Sequence, residues 1–323
     1  MIPSKTAFLF PGQNSQSIGM GRDLYDRFPT ARQTFQEADK ALGFSISALC
    51  FEGPEEQLRR TEFQQPAIFT VSVAALRVLA EHGVRPEMVA GHSLGEYAAN
   101  VAASSLAFAD GVRTVRSRGR YMQDAVPEGV GAMAAVLGLG AEEVIAGCAT
   151  AAAESGEVVS AANINSPTQI AISGTLVAVE RAAAILKQAG ARRVVMLKVS
   201  APFHCALMQP AQDHLAALLQ SVSFAEPSIP VAVNVDAQFV EDAAGLRNAL
   251  VRQVTGAVRW VESMQLLIDR GATHFIEVGP GKVLSGLLRQ IDPNQSALNV
   301  EDGASLEKTL EVLNPAGEHE RAG

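Results

Sequence analysis

Ser93 lies in Gly91-His92-Ser93-Leu94-Gly95, a G-x-S-x-G string with the apolar run Met88-Val89-Ala90 before it and an alanine-rich segment, 94–104, after it. A strand that turns sharply into a helix at a serine is the arrangement of a nucleophile elbow. The flanking glycines let neighbouring backbone pass close, the Oγ stays exposed, and the first helix amides point at whatever it attacks. The plain alternative is a glycine-flanked serine that caps a helix. A serine hydroxyl needs a base to attack anything near neutral pH, and six histidines are on offer. His82 at a helix end, His214 in mid-helix, His274 at a strand start and His319 in the tail read as surface or structural. His92 adjoins Ser93, and neighbouring side chains diverge, so it is expected to point elsewhere. His204 stands in Ser200-Ala201-Pro202-Phe203-His204, a proline-containing loop between a strand and a helix. Such loops are where α/β folds carry functional side chains. Spacing singles out no acidic partner for it, and Glu277 reads as the end of a strand. A backbone carbonyl would suffice to hold the imidazole.

Four arginines crowd one helix: Arg113, Arg116, Arg118 and Arg120. The usual reading of such a run is a solvated face. The sharper one places one guanidinium in a pocket, where its planar fork holds a carboxylate through two hydrogen bonds. Val112, Val115, Met122 and Val126 define the buried stripe, and both Arg116 and Arg118 flank it, so periodicity leaves the choice open.

The elements that must position these groups alternate. Strand at 6–10 breaks at the polar turn Pro11-Gly12-Gln13-Asn14-Ser15-Gln16. Helices follow near 20–28 and, capped by Thr30, to Leu42. Pro66 opens a long helix over 67–81, the elbow comes next, and Asp110 caps a helix through Met122. Between 129 and 200 the order becomes strand 131–137, helix 141–154, strands 158–164 and 169–173, helix 176–189, strand 193–199. That βαββαβ run is the ferredoxin-like arrangement. Thereafter come helix 205–222, strand 231–235, helices 244–254 and 258–269, strand 274–278, helix 282–291, strand 297–300 and helix 305–313. The expected fold is α/β: a parallel sheet covered on both faces, built from residues 1–128 and 201–314, with residues 129–200 inserted as a smaller layer. Residues 315–323 read as a frayed tail.

Composition sets the bounds. The chain has 323 residues, 48% of them hydrophobic and 19% charged, enough for a large core. A net charge of -8 argues against bulk attraction to nucleic acid or an anionic membrane. Three separated cysteines, Cys50, Cys148 and Cys205, fit a reducing compartment and give neither a disulfide framework nor zinc-ligand spacing. The N-terminal apolar run is too short for a signal peptide, and no segment reads as long enough to span a bilayer. A soluble cytoplasmic protein is expected.

In combination these motifs resemble one family. They are Phe10-Pro11-Gly12-Gln13 with Ser15-Gln16, Gln65-Pro66-Ala67, Gly91-His92-Ser93-Leu94-Gly95-Glu96, Asn163-Ile164-Asn165-Ser166-Pro167, Pro202-Phe203-His204-Cys205-Ala206-Leu207-Met208 and Glu277-Val278-Gly279-Pro280-Gly281. Over residues 6–313 the chain resembles the malonyl-CoA:acyl carrier protein transacylases. The resemblance implies an α/β-hydrolase-like core with an inserted ferredoxin-like subdomain. It implies Ser93 as the acylated nucleophile, His204 as its base, and the amides of Gln13 and Leu94 as the oxyanion hole. It implies Arg118 as the holder of the malonyl carboxylate, Gln253 as the residue whose main-chain carbonyl steadies the histidine, and Asn163 and Asn165 near the pocket. Phe203 precedes the histidine as in relatives that prefer malonyl over methyl-branched groups. Asn14 stands where the family often has glycine, and asparagine tolerates positive φ. The substrates implied are malonyl-CoA and the phosphopantetheine thiol of acyl carrier protein, with no bound cofactor and a monomeric enzyme. Carrier docking would draw on Arg192, Arg193, Lys198, Lys282 or Arg289. A thioesterase or other serine hydrolase, or an acyltransferase of a polyketide pathway, would use the same serine and histidine.

Overall fold

The computed structural model describes residues 5–313. Among these residues ten strands form two sheets: β1 Lys5–Phe10, β2 Met88–Gly91, β3 Gly131–Leu137, β4 Val159–Ser166, β5 Gln169–Thr175, β6 Arg193–Met196, β7 Val231–Val233, β8 Gln238–Val240, β9 Ala272–Val278 and β10 Ala297–Val300. The larger sheet runs β10-β9-β1-β2-β7-β8 and is parallel except at the β7–β8 edge, an antiparallel pair. The wholly parallel expectation is corrected there. β8 is three residues long, too short to declare itself by alternation.

Alternation along the central strands explains why both faces are covered. Phe8, Phe10 and Val89 enter the core on one side, while Ala7, Leu9, Met88 and Ala90 enter the core on the other. A strand buried on both faces reads as a continuous apolar run, which is how Ala7–Phe10 reads. The smaller sheet, β4-β5-β3-β6, is antiparallel throughout. Helices Ala141–Ser155 and Leu176–Gln188 pack on it over a separate core that includes Ala134, Val136, Ile170, Ile172 and Leu186.

Several local expectations are corrected. The long helix runs Thr61–Glu81 with Pro66 inside it rather than at its start. By length and composition that helix could cross a membrane, contrary to the sequence reading, but 83% of its most apolar window is buried inside the protein. Thr30 does not cap its helix, Pro29–Leu42; its hydroxyl bonds the Glu81 carboxylate instead. Asp110 lies in the first turn of Phe108–Asp124 and pairs with Arg113 at 2.7 Å, and Ala107 holds the cap position. Short helices Ile46–Glu52 and Glu55–Arg59 went unread. The segment 205–222 divides into a tight turn, Ala206–Met208, and a helix, Gln209–Leu219. The expected tail, residues 315–323, lies outside the described residues.

Candidate active site

β1 and β2 lie side by side with Phe10 paired to Gly91, so the turns that follow them meet at the carboxyl ends of the central strands. After β2 the chain reverses through Ser93, whose φ of 50° is left-handed, into the helix Gly95–Ala102. Strain of that kind, about 1–2 kcal/mol for a non-glycine residue, persists where surrounding bonds over-determine it. Asn234, directly after β7, supplies them: its Oδ1 accepts from Ser93 N at 2.7 Å and its Nδ2 donates to the Gly91 carbonyl at 2.7 Å. Glycine is required at 95, because a Cβ there would stand 2.0 Å from the Phe10 carbonyl oxygen. Gly12 meets the same demand, since its Cβ would fall 2.6 Å from the His92 carbonyl oxygen. The Gln13 turn can therefore lie directly on the elbow.

His204 arrives from the loop that leaves the smaller sheet and is also left-handed, φ 59°. Its Nε2 is 2.7 Å from Ser93 Oγ, and its Nδ1 faces the carbonyls of Gln253 at 2.9 Å and Gly256 at 3.2 Å. Carbonyls only accept, so the proton is assigned to Nδ1 and the Nε2 lone pair faces the serine hydroxyl. Burial, helped by the nearby Arg118 charge, pushes the imidazole down to about 3. Near neutral pH His204 is the free base.

Arg118 is fully buried behind the serine. It donates to Gln65 Oε1 at 2.9 Å, Ser93 Oγ at 3.2 Å and Gln253 Oε1 at 3.0 Å. Arg116 instead stacks on Phe44, 4.3 Å from the ring centroid, and Arg120 on Tyr121 at 5.7 Å. Gln253 thus touches the base through its carbonyl and the arginine through its side chain. Its Nε2 also donates to the Ser93 carbonyl and to Glu96 Oε2, each at 3.0 Å.

A cleft of about 560 Å³ opens over Ser93 and His204, between the Gly12–Ser17 turn on one side and the smaller sheet on the other. Asn163, Asn165, Met133 and Phe203 line it. Asn14 in the turn has φ 73°, the conformation asparagine tolerates. Gln13 is anchored by its side chain, Nε2 donating to Gln64 Oε1 at 2.6 Å and Oε1 accepting from Gln65 Nε2 at 3.2 Å. Within the described residues the backbone amides of Gln13 and Leu94 have no recorded hydrogen bond to another backbone carbonyl.

The His92 ring diverges from Ser93 Oγ and packs 5.3 Å from the Trp260 ring, yet it still faces the cleft. It bonds Asn165 Oδ1 through Nε2 at 2.8 Å. His82 bonds the Val78 carbonyl of its own helix at 2.9 Å, and His214 packs on Tyr121, away from the cleft. His319 lies outside the described residues. Glu277 caps the helix Val283–Ile291, accepting from Leu284 N at 3.0 Å and Ser285 N at 2.7 Å. Sequence reasoning missed Gln64, Gln65, Glu96 and Asn234 as members of the network. Gln65 and Glu96 stand inside motifs already noted, without a role attached to them, and Asn234 left a local signal, a polar residue after a short apolar strand. Cys50, Cys148 and Cys205 are free and buried. No cluster of metal-ligating side chains occurs among the described residues.

Comparison with known proteins gives this geometry a context. A family model described as the acyl transferase domain matches residues 7–308. The malonyl CoA-acyl carrier protein transacylase of Bacillus subtilis is 46% identical over 310 residues, 96% of this chain and 98% of that one. A crystal structure of an acyl carrier protein S-malonyltransferase from Vibrio cholerae superposes with TM-score 0.92 at 46% identity, covering 95% of this chain and all of the other. A structure described as a type II PKS acyl-carrier protein in complex with its malonyl-transacylase gives TM-score 0.93 at 46% identity, over 96% of this chain. Near-complete coverage at such identity is a family relationship and not a shared fold alone: this chain belongs to the acyl transferases, and among them to the malonyl-CoA:acyl carrier protein transacylases.

Proposed function

We propose that this enzyme moves malonyl from malonyl-CoA to the phosphopantetheine thiol of acyl carrier protein, in two steps, through a malonyl ester on Ser93. The observation that carries the reading is the convergence on one oxygen: His204 Nε2 at 2.7 Å and Arg118 Nη2 at 3.2 Å both address Ser93 Oγ. His204 takes the hydroxyl proton as Oγ attacks the thioester carbonyl, and the Gln253 carbonyl holds the resulting imidazolium. The developing oxyanion sits between the amides of Gln13 and Leu94. Coenzyme A leaves with the proton from His204. The carrier thiol then gives its proton to the same imidazole and attacks the ester carbonyl, Ser93 Oγ leaves and takes that proton from His204, and the carrier departs malonylated.

Arg118 holds the free carboxylate of the acyl group, exchanging its bonds to Gln65 and Gln253 for two to the carboxylate. Acetyl lacks that group. Phe203 crowds the malonyl α-carbon and disfavours an added methyl, and Asn163 helps shape the cleft wall. The chemistry asks for no cofactor, because the thioester is already activated. We assign residues 1–128 and 201–314 to an α/β-hydrolase-like core and residues 129–200 to a ferredoxin-like subdomain, in keeping with the βαββαβ order and the β4-β5-β3-β6 sheet. A monomer acting in the cytoplasm completes the proposal. A polyketide carrier is the second reading, favoured by the likeness to the type II PKS transacylase.

The test mixes enzyme with malonyl-CoA, with and without holo-carrier. A burst of one coenzyme A per enzyme is expected alone, and continued release only with carrier. Sustained release without carrier would make the protein a hydrolase. The pH profile provides a second check. A base whose folded-state pKa is depressed stays active until pH falls through that lower value. We therefore expect kcat/KM, which reports the free enzyme, to show no acid limb at the ordinary histidine value of 6.5. A fall in kcat/KM as pH drops through that value would contradict the neutral, buried base.

A further inference from the structure

Arg118 is completely enclosed, yet none of its hydrogen bonds among the described residues reaches a carboxylate: Gln65, Ser93 and Gln253 are neutral acceptors. A cation taken out of water into such a place is costly without an opposite charge nearby. The Gln253 side chain leads to one. Its Oε1 accepts from Arg118 Nη2 at 3.0 Å, and its Nε2 donates to Glu96 Oε2 at 3.0 Å. Glu96 is itself fully buried. Its Oε2 also accepts from Asn234 N at 2.8 Å, and its Oε1 has no hydrogen-bond partner. One neutral amide separates the two buried charged side chains.

Glu96 is not needed to orient that amide. Gln253 Nε2 also donates to the Ser93 carbonyl at 3.0 Å and to Asn234 Oδ1 at 3.3 Å, so the amide polarity is fixed by neutral acceptors as well. What Glu96 adds is charge. We propose that Glu96 is the internal counter-ion of Arg118, acting across the Gln253 amide, and that it weakens the grip of the arginine on an anionic acyl group. The inference rests on the reading that Arg118 receives the acyl carboxylate. With Glu96 ionised, the incoming carboxylate meets an arginine already partly compensated. The acyl group is held firmly enough to be chosen and loosely enough to be passed on, because binding the acyl-enzyme too well would slow its transfer.

Glu96 also faces charged and titratable neighbours on other elements. Arg118 acts on it from the helix Phe108–Asp124, and Asp236, in the turn between β7 and β8, and Arg252, at the end of the helix Ala243–Arg252, pair with each other and act on it too, while Tyr97 adjoins it on its own helix. Burial pushes Glu96 up to about 7, opposed by its bonds to Asn234 and Gln253 and by Arg118. Burial pushes both His92 and His204 down, away from their charged forms. Protonating Glu96 removes the compensation, and the affinity for an anionic acyl group rises as pH falls.

The experiment uses calorimetric titration of malonyl-CoA and acetyl-CoA into the Ser93→Ala enzyme, where turnover is stopped, with and without Glu96→Gln. At about pH 8 the glutamine variant is expected to bind malonyl-CoA about three- to tenfold more tightly and acetyl-CoA unchanged. With Glu96 in place, malonyl-CoA affinity is expected to climb from about pH 8 to about pH 6, a slope that Glu96→Gln abolishes. Unchanged or weaker malonyl-CoA binding in Glu96→Gln overturns the proposal. Should that variant not fold, a flat pH dependence with Glu96 present overturns it equally. Arg118→Ala in the same titration separates the two ideas. If it leaves malonyl-CoA binding intact, the carboxylate reading of Arg118 has failed, whereas a large loss there beside a neutral Glu96→Gln condemns the counter-ion alone.

Discussion

Replacing Ser93 with alanine is expected to lower malonyl transfer by at least about ten-thousandfold and to remove the malonyl mass adduct from the protein altogether. The oxygen is lost at the point where His204, Arg118 and the elbow converge, and among the described residues no other hydroxyl bonds His204 Nε2. The substitution should leave the fold alone. The elbow is held through the Ser93 main chain, whose N–H goes to Asn234 and whose carbonyl accepts from Gln253, and alanine keeps both groups. Intact-mass spectrometry with peptide mapping after brief mixing with malonyl-CoA reads the result. An adduct that persists on the variant, or that maps to another residue, would refute the ester on Ser93.

Arg118→Ala comes second in size. Truncating one member of a buried, hydrogen-bonded charge pair costs about 2–5 kcal/mol, so malonyl transfer is expected to fall by about thirtyfold to a few thousandfold. Acetyl transfer offers no carboxylate to lose and should change by less than about threefold. The ratio of the two kcat/KM values is the measurement. It also guards against a trivial outcome, because Gln65 and Gln253 both lose a donor and the cavity relaxes. General damage would lower both substrates together, and equal losses would remove Arg118 from carboxylate recognition.

Much of the fold could be read in advance because the chain announces it locally. Gly91 and Gly95 mark a close passage of backbone, and the apolar runs at 6–10 and 88–90 are those of strands buried on both faces. The smaller sheet was legible strand by strand, with β3 read to the residue. What escaped lacks a local pattern. Ile46–Glu52 and Glu55–Arg59 are two turns or fewer, and β8 has three residues. Pro66 looks like a helix opener, but the preceding turn forms on the Arg60 carbonyl, which accepts from Phe63 and Gln64. The polar network behind the serine is harder still. Gln65, Arg118, Asn234 and Gln253 sit on four separate segments, and spacing carries no trace of a contact made across 135 residues. Arg116 and Arg118 share the flanks of one stripe, and only the packing of their helix against Thr61–Glu81 separates the ring-stacked one from the buried one.

The pairing of Phe10 with Gly91 has a bearing on which changes of chain length this enzyme can absorb. The His92 N–H donates to the Phe10 carbonyl at 3.0 Å, so the turn carrying Gln13 is pinned to the elbow at its root. One extra residue between Phe10 and Gln13 would advance that amide by about 3.3 Å, a full hydrogen-bond length. Ser93 and His204, by contrast, are 111 positions apart yet in contact. An entire sheet is looped out between them, held at its two roots and where Ala162 and Ile164 of β4 bond Val258. Insertions and deletions should therefore be purged from the short turn beside the serine and tolerated at the far hairpins of the smaller sheet, so that the nearest partner in sequence is the one least free to drift.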